Sequence, residues 1–203
     1  MTERPSVAIM SGRTSGGNMI RDVAVVGSGA MGSGIAQKSA TEGFSVQMVD
    51  REEKWVKRGH ETIEMKMNDA IERRIFTPDQ ADQIKSRIEG VVGHENISEG
   101  TDLVIEAVFE DLELKKEIFS SLDKTCGENT ILATNTSSLS VNDLAQVVDR
   151  KDRFLGLHFF FHPAQNRLIE LIPGENTSQE TIDAVEQYCK AMGKVIVVTL
   201  DKP

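Results

Sequence analysis

Cysteine is scarce in this chain of 203 residues, and its two copies, Cys126 and Cys189, stand 63 positions apart with no C-x-x-C pair. That spacing excludes a disulfide framework and the common cysteine zinc sites, and points to packing thiols in a reducing, cytoplasmic setting. Long apolar runs are missing as well. The longest uncharged stretch, 23–37, is interrupted by four glycines and falls short of the roughly 18 consecutive apolar residues that span a bilayer. A soluble protein is the expectation. Residues 1–18 lack the apolar centre of a signal peptide, and their Ser/Gly/Thr-rich end reads as a flexible leader, natural or left over from expression, ahead of Met19. Positive charge is the third deficit. With 23 Lys and Arg against 32 Asp and Glu, a net charge of −9, nucleic acid and anionic membranes are disfavoured as partners, and an anionic ligand must find a local positive field.

What is present is enough for a buried core, at 39% hydrophobic residues. From Met19 to Pro203 short β-branched runs alternate with helical patterns, which predicts βαβ units and an α/β, mostly parallel sheet of the doubly wound, Rossmann type. Strands are expected at 20–26, 46–49, 103–108, 130–133, 154–160, 168–172 and 195–199. Several are apolar on both faces, as buried parallel strands are. Ile63, Met67, Ile71 and Ile75 recur every four residues, and Thr77-Pro78-Asp79-Gln80 supplies a cap, a first-turn proline and an acid for another helix. A two-helix excursion therefore follows the second strand. Residues 178–191 form a further amphipathic helix, with Ile182, Val185, Tyr188 and Cys189 on one face and Gly193 placed to end it.

The strand Val23-Ala24-Val25-Val26 runs into Gly27-Ser28-Gly29-Ala30-Met31-Gly32 and then a helical stretch. The first glycine permits the tight turn, the second lets a pyrophosphate approach the backbone, and the third lets helix pack on strand, so that the helix N-terminus faces the anion. Asp50 ends the next strand, 18 positions after Gly32, where a carboxylate accepts hydrogen bonds from an adenosine ribose and repels a 2′-phosphate. NAD is expected over NADP.

A dinucleotide site does not say what is done with the cofactor. His60 and His94 sit among polar neighbours, whereas His158 falls at the end of a strand, where ligand crevices open. Glu170 follows 12 positions later inside the apolar run Leu168-Ile169-Glu170-Leu171-Ile172 and needs a cation or strong donor, because burying an unpaired charge is costly. A turn at 162–166 would set the two strands side by side. Glu170 would then hold one imidazole nitrogen of His158 while the other takes a proton from a substrate hydroxyl; pairing of Glu170 with Arg167, or a purely structural His–Glu pair, fits the spacing equally. His158 and His162 have no third ligand at a recognised spacing, so no metal is expected. Phe159, Phe160 and Phe161 read as core and crevice wall. After the strand ending in Thr134, Asn135-Thr136-Ser137-Ser138 could bind a ribose or a substrate oxygen, or cap the helix starting near Ser140.

In order, VAVVGSGAMGSGIAQ, DLVIEAVFEDLELKKEIF, ATNTSSL and GLHFFFHPAQNRLIELI resemble the NAD-binding domain of the L-3-hydroxyacyl-CoA dehydrogenase family. The resemblance implies that Ser137 binds substrate, His158 is the general base and Glu170 orients it. It also implies that Ala107, Glu110, Lys115 and Asn135 join the glycine loop in contacting NAD. The implied reaction is oxidation of a (3S)-3-hydroxyacyl-CoA to the 3-oxoacyl-CoA, a step of fatty acid β-oxidation. Two departures stand out. The family has Asn directly after H-F-F where this chain has Phe161 and then His162, and the family continues into a helical domain that covers the acyl chain and mediates homodimerisation, which this chain is expected to lack. Anionic coenzyme A would find positive charge at Lys54, Lys57, Arg58, Lys66, Arg73 and Arg74, although most of these read individually as a solvated helix face. The rival readings are a dehydrogenase of a sugar acid such as gulonate, a nucleotide-binding module without turnover, and an enzyme of the 6-phosphogluconate type, whose lysine base the His158 and Glu170 pattern argues against.

Overall fold

The computed structural model describes residues 19–202, and the expected leader at 1–18 lies outside them. The strands are β1 (Asp22–Val26), β2 (Ser45–Asp50), β3 (Ile88–Val92), β4 (Leu103–Glu106), β5 (Ile131–Thr134), β6 (Phe154–Phe159), β7 (Leu168–Pro173) and β8 (Val195–Val198). The α-helices are α1 (Ala30–Thr41), α2 (Glu53–Glu72), α3 (Pro78–Lys85), α4 (Leu112–Thr125), α5 (Val141–Leu144) and α6 (Gln179–Ala191). Among the described residues the eight strands form one sheet in the order β3-β2-β1-β4-β5-β6-β7-β8. It is parallel except where β7 runs antiparallel to β6. The strand order reverses between β1 and β4, the place where a doubly wound sheet opens its ligand crevice.

Two apolar cores follow from strands that bury both faces. On one face Ile35, Ile63, Met67, Ile84, Val185 and Tyr188 bring α1, α2, α3 and α6 onto Val25, Met48, Ile105 and Leu157. On the other, Ile118, Phe119, Leu122, Val141 and Leu144 bring α4 and α5 onto Ala24, Val104, Leu132 and Phe154. Cys126 and Cys189 are buried free thiols, and burial pushes the Cys189 thiol up to about 12, which keeps it unreactive.

Local signals act as read. Thr77 and Gln80 form a reciprocal capping box with Pro78 in the first turn of α3, and Ser178 caps α6. Several boundaries need correction. The recurrence through Ile75 overshoots, because α2 ends at Glu72, Arg74 turns to φ +57° and Ile75 is exposed. β1 begins at Asp22, two residues later than expected, and β4 stops at Glu106, whose carboxylate accepts from the Val108 amide and turns the chain out of the sheet. The strand β3 is absent from the sequence reading: in Ile88-Glu89-Gly90-Val91-Val92 only Ile88 and Val91 are buried, as befits an edge strand with no alternation to see. The helix α4 is also unread, since Lys115 occupies a core position on its buried face.

Candidate active site

The ends of β1, β2, β4, β5 and β6 share one edge of the sheet, and the residues singled out by sequence collect there. Gly27 holds φ +102°, and its amide donates to the Val49 carbonyl at 2.8 Å. A Cβ on Gly27 would lie 2.7 Å from the Ala107 oxygen, and one on Gly32 only 1.7 Å from the Gly27 oxygen, so neither position admits a side chain. Gly29 is different: a Cβ there meets nothing within 4 Å. It is the N-cap of α1, without a side-chain cap and without an acidic residue in the first turn. Open space before uncapped, positively polarised N–H groups fits a pyrophosphate flanked by Ser28, Ala30 and Met31. Asp50 Oδ2 accepts from the Ser28 amide at 2.8 Å and the Ser28 hydroxyl at 2.7 Å, while Oδ1 accepts from the Arg51 amide at 2.8 Å. The Oδ1 atom retains capacity for a ribose hydroxyl.

On the far side of the crevice the hairpin of β6 and β7 puts His158 directly opposite Glu170. Their Nδ1 and Oε2 atoms are 2.8 Å apart, which resolves the alternatives for Glu170 in favour of His158 over Arg167. An ionised carboxylate only accepts, so Nδ1 carries the proton and a neutral imidazole presents a bare Nε2. The Phe159 amide, next to His158, donates to Asn135 Oδ1 at 2.8 Å and ties the ends of β5 and β6 together. Phe159 is buried, as expected of core, but Phe161 is exposed and stacks on His162 with ring centroids 3.8 Å apart.

Between these two sides lies an ionic cluster that joins Glu110, Lys115 and the Thr136-Ser137-Ser138 loop, all singled out by sequence, to Glu106, which was not. Glu106, at the end of β4, accepts from Lys115 Nζ at 2.6 Å, from the Val108 amide at 2.7 Å and, through Oε2, from the Thr134 hydroxyl at 2.7 Å. Lys115 also reaches Glu110 Oε2 at 3.3 Å. Glu110 in turn accepts from the Thr136 hydroxyl, from the Ser137 amide at 3.2 Å and from the Ser138 hydroxyl at 3.1 Å. Partial burial pushes the Glu110 carboxyl up, but the Thr136 hydrogen bond and the Lys115 charge outweigh it and hold the group below its ordinary value. Lys115 is sealed inside the protein, and within it serves to hold both carboxylates. Ser137 stays exposed beside the crevice while Thr136 caps its own loop through the Ser138 and Leu139 amides. Of the cations in the excursion after β2, Lys54 pairs with Glu52 at 2.7 Å and Arg73 with Asp69 at 3.3 Å, which favours the solvated-face reading for these two.

Residues 22–202 match the family described as "3-hydroxyacyl-CoA dehydrogenase, NAD binding domain". The chain is 38% identical over 191 residues to the mitochondrial hydroxyacyl-coenzyme A dehydrogenase of Rattus norvegicus, covering 91% of this chain and 60% of that protein. It is 35% identical over 181 residues to the 3-hydroxybutyryl-CoA dehydrogenase of Clostridioides difficile, covering 89% and 64%. Among solved structures, the (S)-3-hydroxybutyryl-CoA dehydrogenase of Ralstonia eutropha superimposes with a TM-score of 0.88 at 40% identity, over 91% of this chain and 65% of that one. The chain thus spans less than two thirds of the length of these relatives. With the glycine cradle, Asp50 and the doubly wound sheet in place, it belongs to the 3-hydroxyacyl-CoA dehydrogenase family, as its NAD-binding domain.

Proposed function

We propose that this domain serves the NAD-dependent oxidation of a (3S)-3-hydroxyacyl-CoA to its 3-oxoacyl-CoA, a reversible step of fatty acid oxidation. The observation that carries the reading is the His158–Glu170 pair at 2.8 Å, fixed by strand register at the crevice edge. When bound, NAD supplies the hydride acceptor; Gly27, Gly29, Gly32 and Asp50 would hold its pyrophosphate and ribose, and Ala107, Glu110 and Asn135 would line its nicotinamide side. His158 Nε2 takes the proton of the substrate hydroxyl, and Glu170 stabilises the imidazolium that forms. Exposed Ser137 would orient the substrate oxygen. The helical domain and homodimer of the family form part of the same proposal, supported by Val195, Val197 and Val198, which β8 leaves exposed at the edge of the sheet. So does a cytoplasmic setting, with two buried free thiols in its favour.

The test is NADH oxidation by the chain in the presence of acetoacetyl-CoA, with His158→Ala as control. Turnover is expected to fall by about 10²–10⁴-fold in the variant, the usual worth of a general base, while NADH affinity holds. NADH binding without turnover in the unmutated chain would favour the nucleotide-binding module. Turnover with CoA-free hydroxy acids alone would favour the sugar-acid dehydrogenase.

A further inference from the structure

The loop joining β6 to β7 connects the two halves of the His158–Glu170 pair and leans on the cofactor helix. Its Pro163 is packed so closely on α1 that a Cβ at Gly34 would lie 3.1 Å from the proline ring. Within the loop the Gln165 and Asn166 amides donate to the His162 carbonyl at 2.9 and 2.8 Å. The Pro163 and Asn166 carbonyls both accept from one ammonium, Lys194 Nζ, which also sits 5.9 Å from the centre of the Phe159 ring. The backbone delivers Lys194 there. Gly193 ends α6 at φ +67°, its amide returns to Lys190 and the Lys194 amide to Cys189, a Schellman closure that turns the chain under the hairpin before β8 pairs with β7.

We propose that Lys194 is a positioning residue of the catalytic hairpin: by clamping the Pro163 and Asn166 carbonyls it seats the loop on α1 and fixes the His158 imidazole relative to the cofactor. The proposal rests on the reading of His158 given above. Burial pulls Lys194 down to about 8, helped by repulsion from Lys38 and opposed by Cys189 and Glu42, so at neutral pH a largely desolvated cation depends on those two carbonyls in place of water. Lysine after a helix-ending glycine would ordinarily be read only as a complement to the helix dipole.

The experiment compares the chain with its Lys194→Met and Lys194→Arg variants. Methionine keeps the apolar stem and removes every donor; arginine keeps donors. For Lys194→Met, amide exchange at Gln165 and Asn166 is expected to rise about tenfold with β1 and β4 unchanged, and the downfield His158 Nδ1 proton to broaden. With acetoacetyl-CoA, kcat is expected to fall about tenfold while KM for NADH stays within about twofold, and arginine is expected to restore most of the loss. Unchanged loop exchange and an unchanged His158 signal would overturn the proposal. Should the methionine variant not fold, the unmutated chain decides: slowly exchanging Lys194 ammonium protons, coupled through hydrogen bonds to the Pro163 and Asn166 carbonyl carbons, support the clamp, and their absence refutes it. A chain without His158-dependent turnover would refute the functional reading alone, since exchange and the ammonium couplings are measured independently of it.

Discussion

Glu106 and Glu170 are both carboxylates set into apolar strands, and the protein answers them differently. Glu106 is 0% exposed and meets Lys115, itself 1% exposed, with two further donors completing its shell. Glu170 has a side chain 33% exposed and meets an imidazole that is 16% exposed. The first partner is an ammonium in a sealed space; the second is an imidazole at an open edge. A buried pair of fixed charges makes a scaffold, while a half-open pair with a titratable member can take part in chemistry. Asp50 is a third case, since its partners are neutral donors from Ser28 and Arg51, which leaves its charge available to a ligand.

The sharpest way to break this contrast is Lys115→Met. Removing one member strands a buried charge, and a loss of about 3–5 kcal/mol in urea unfolding is expected. A loss below about 1 kcal/mol, within the range of an ordinary surface substitution, would show that Glu106 is not held as a fixed charge. A smaller effect is expected for Asp50→Ala, because its donors are neutral and the Ser28 hydroxyl can still donate to the Trp55 carbonyl at 2.8 Å. There NADH affinity should weaken about tenfold, near 1.4 kcal/mol, with a relative gain for NADPH, read by fluorescence titration of both cofactors. An unchanged NADH to NADPH ratio would remove Asp50 from the ribose site.

How much of this was legible in the sequence depends on whether a residue's role is local. The glycine cradle could be read because each glycine answers a steric demand that shows in its spacing. The His158–Glu170 pair could be narrowed because a charge within Leu168-Ile169-Glu170-Leu171-Ile172 calls for a partner and a turn offered one, although distance alone chose between His158 and Arg167. The same argument applies to Glu106 in Leu103-Val104-Ile105-Glu106 and would have exposed the scaffold pair; there the partner lies on the following helix and is itself hidden in the core. The strand β3 carries too few buried side chains to show a period. Lys194 stayed invisible because its partners are backbone carbonyls of a loop packed by tertiary contact, and backbone acceptors leave no trace in side-chain spacing.

The contrast between the two glutamates is tested most directly by measuring turnover with acetoacetyl-CoA and melting temperature together on Glu170→Gln. The account predicts that turnover falls by about 10–100-fold as the imidazole loses its orienting charge, while the melting temperature moves by no more than about 4 °C. A variant that melts far earlier yet turns over at the unmutated rate would contradict it, and would make Glu170 a scaffold residue like Glu106.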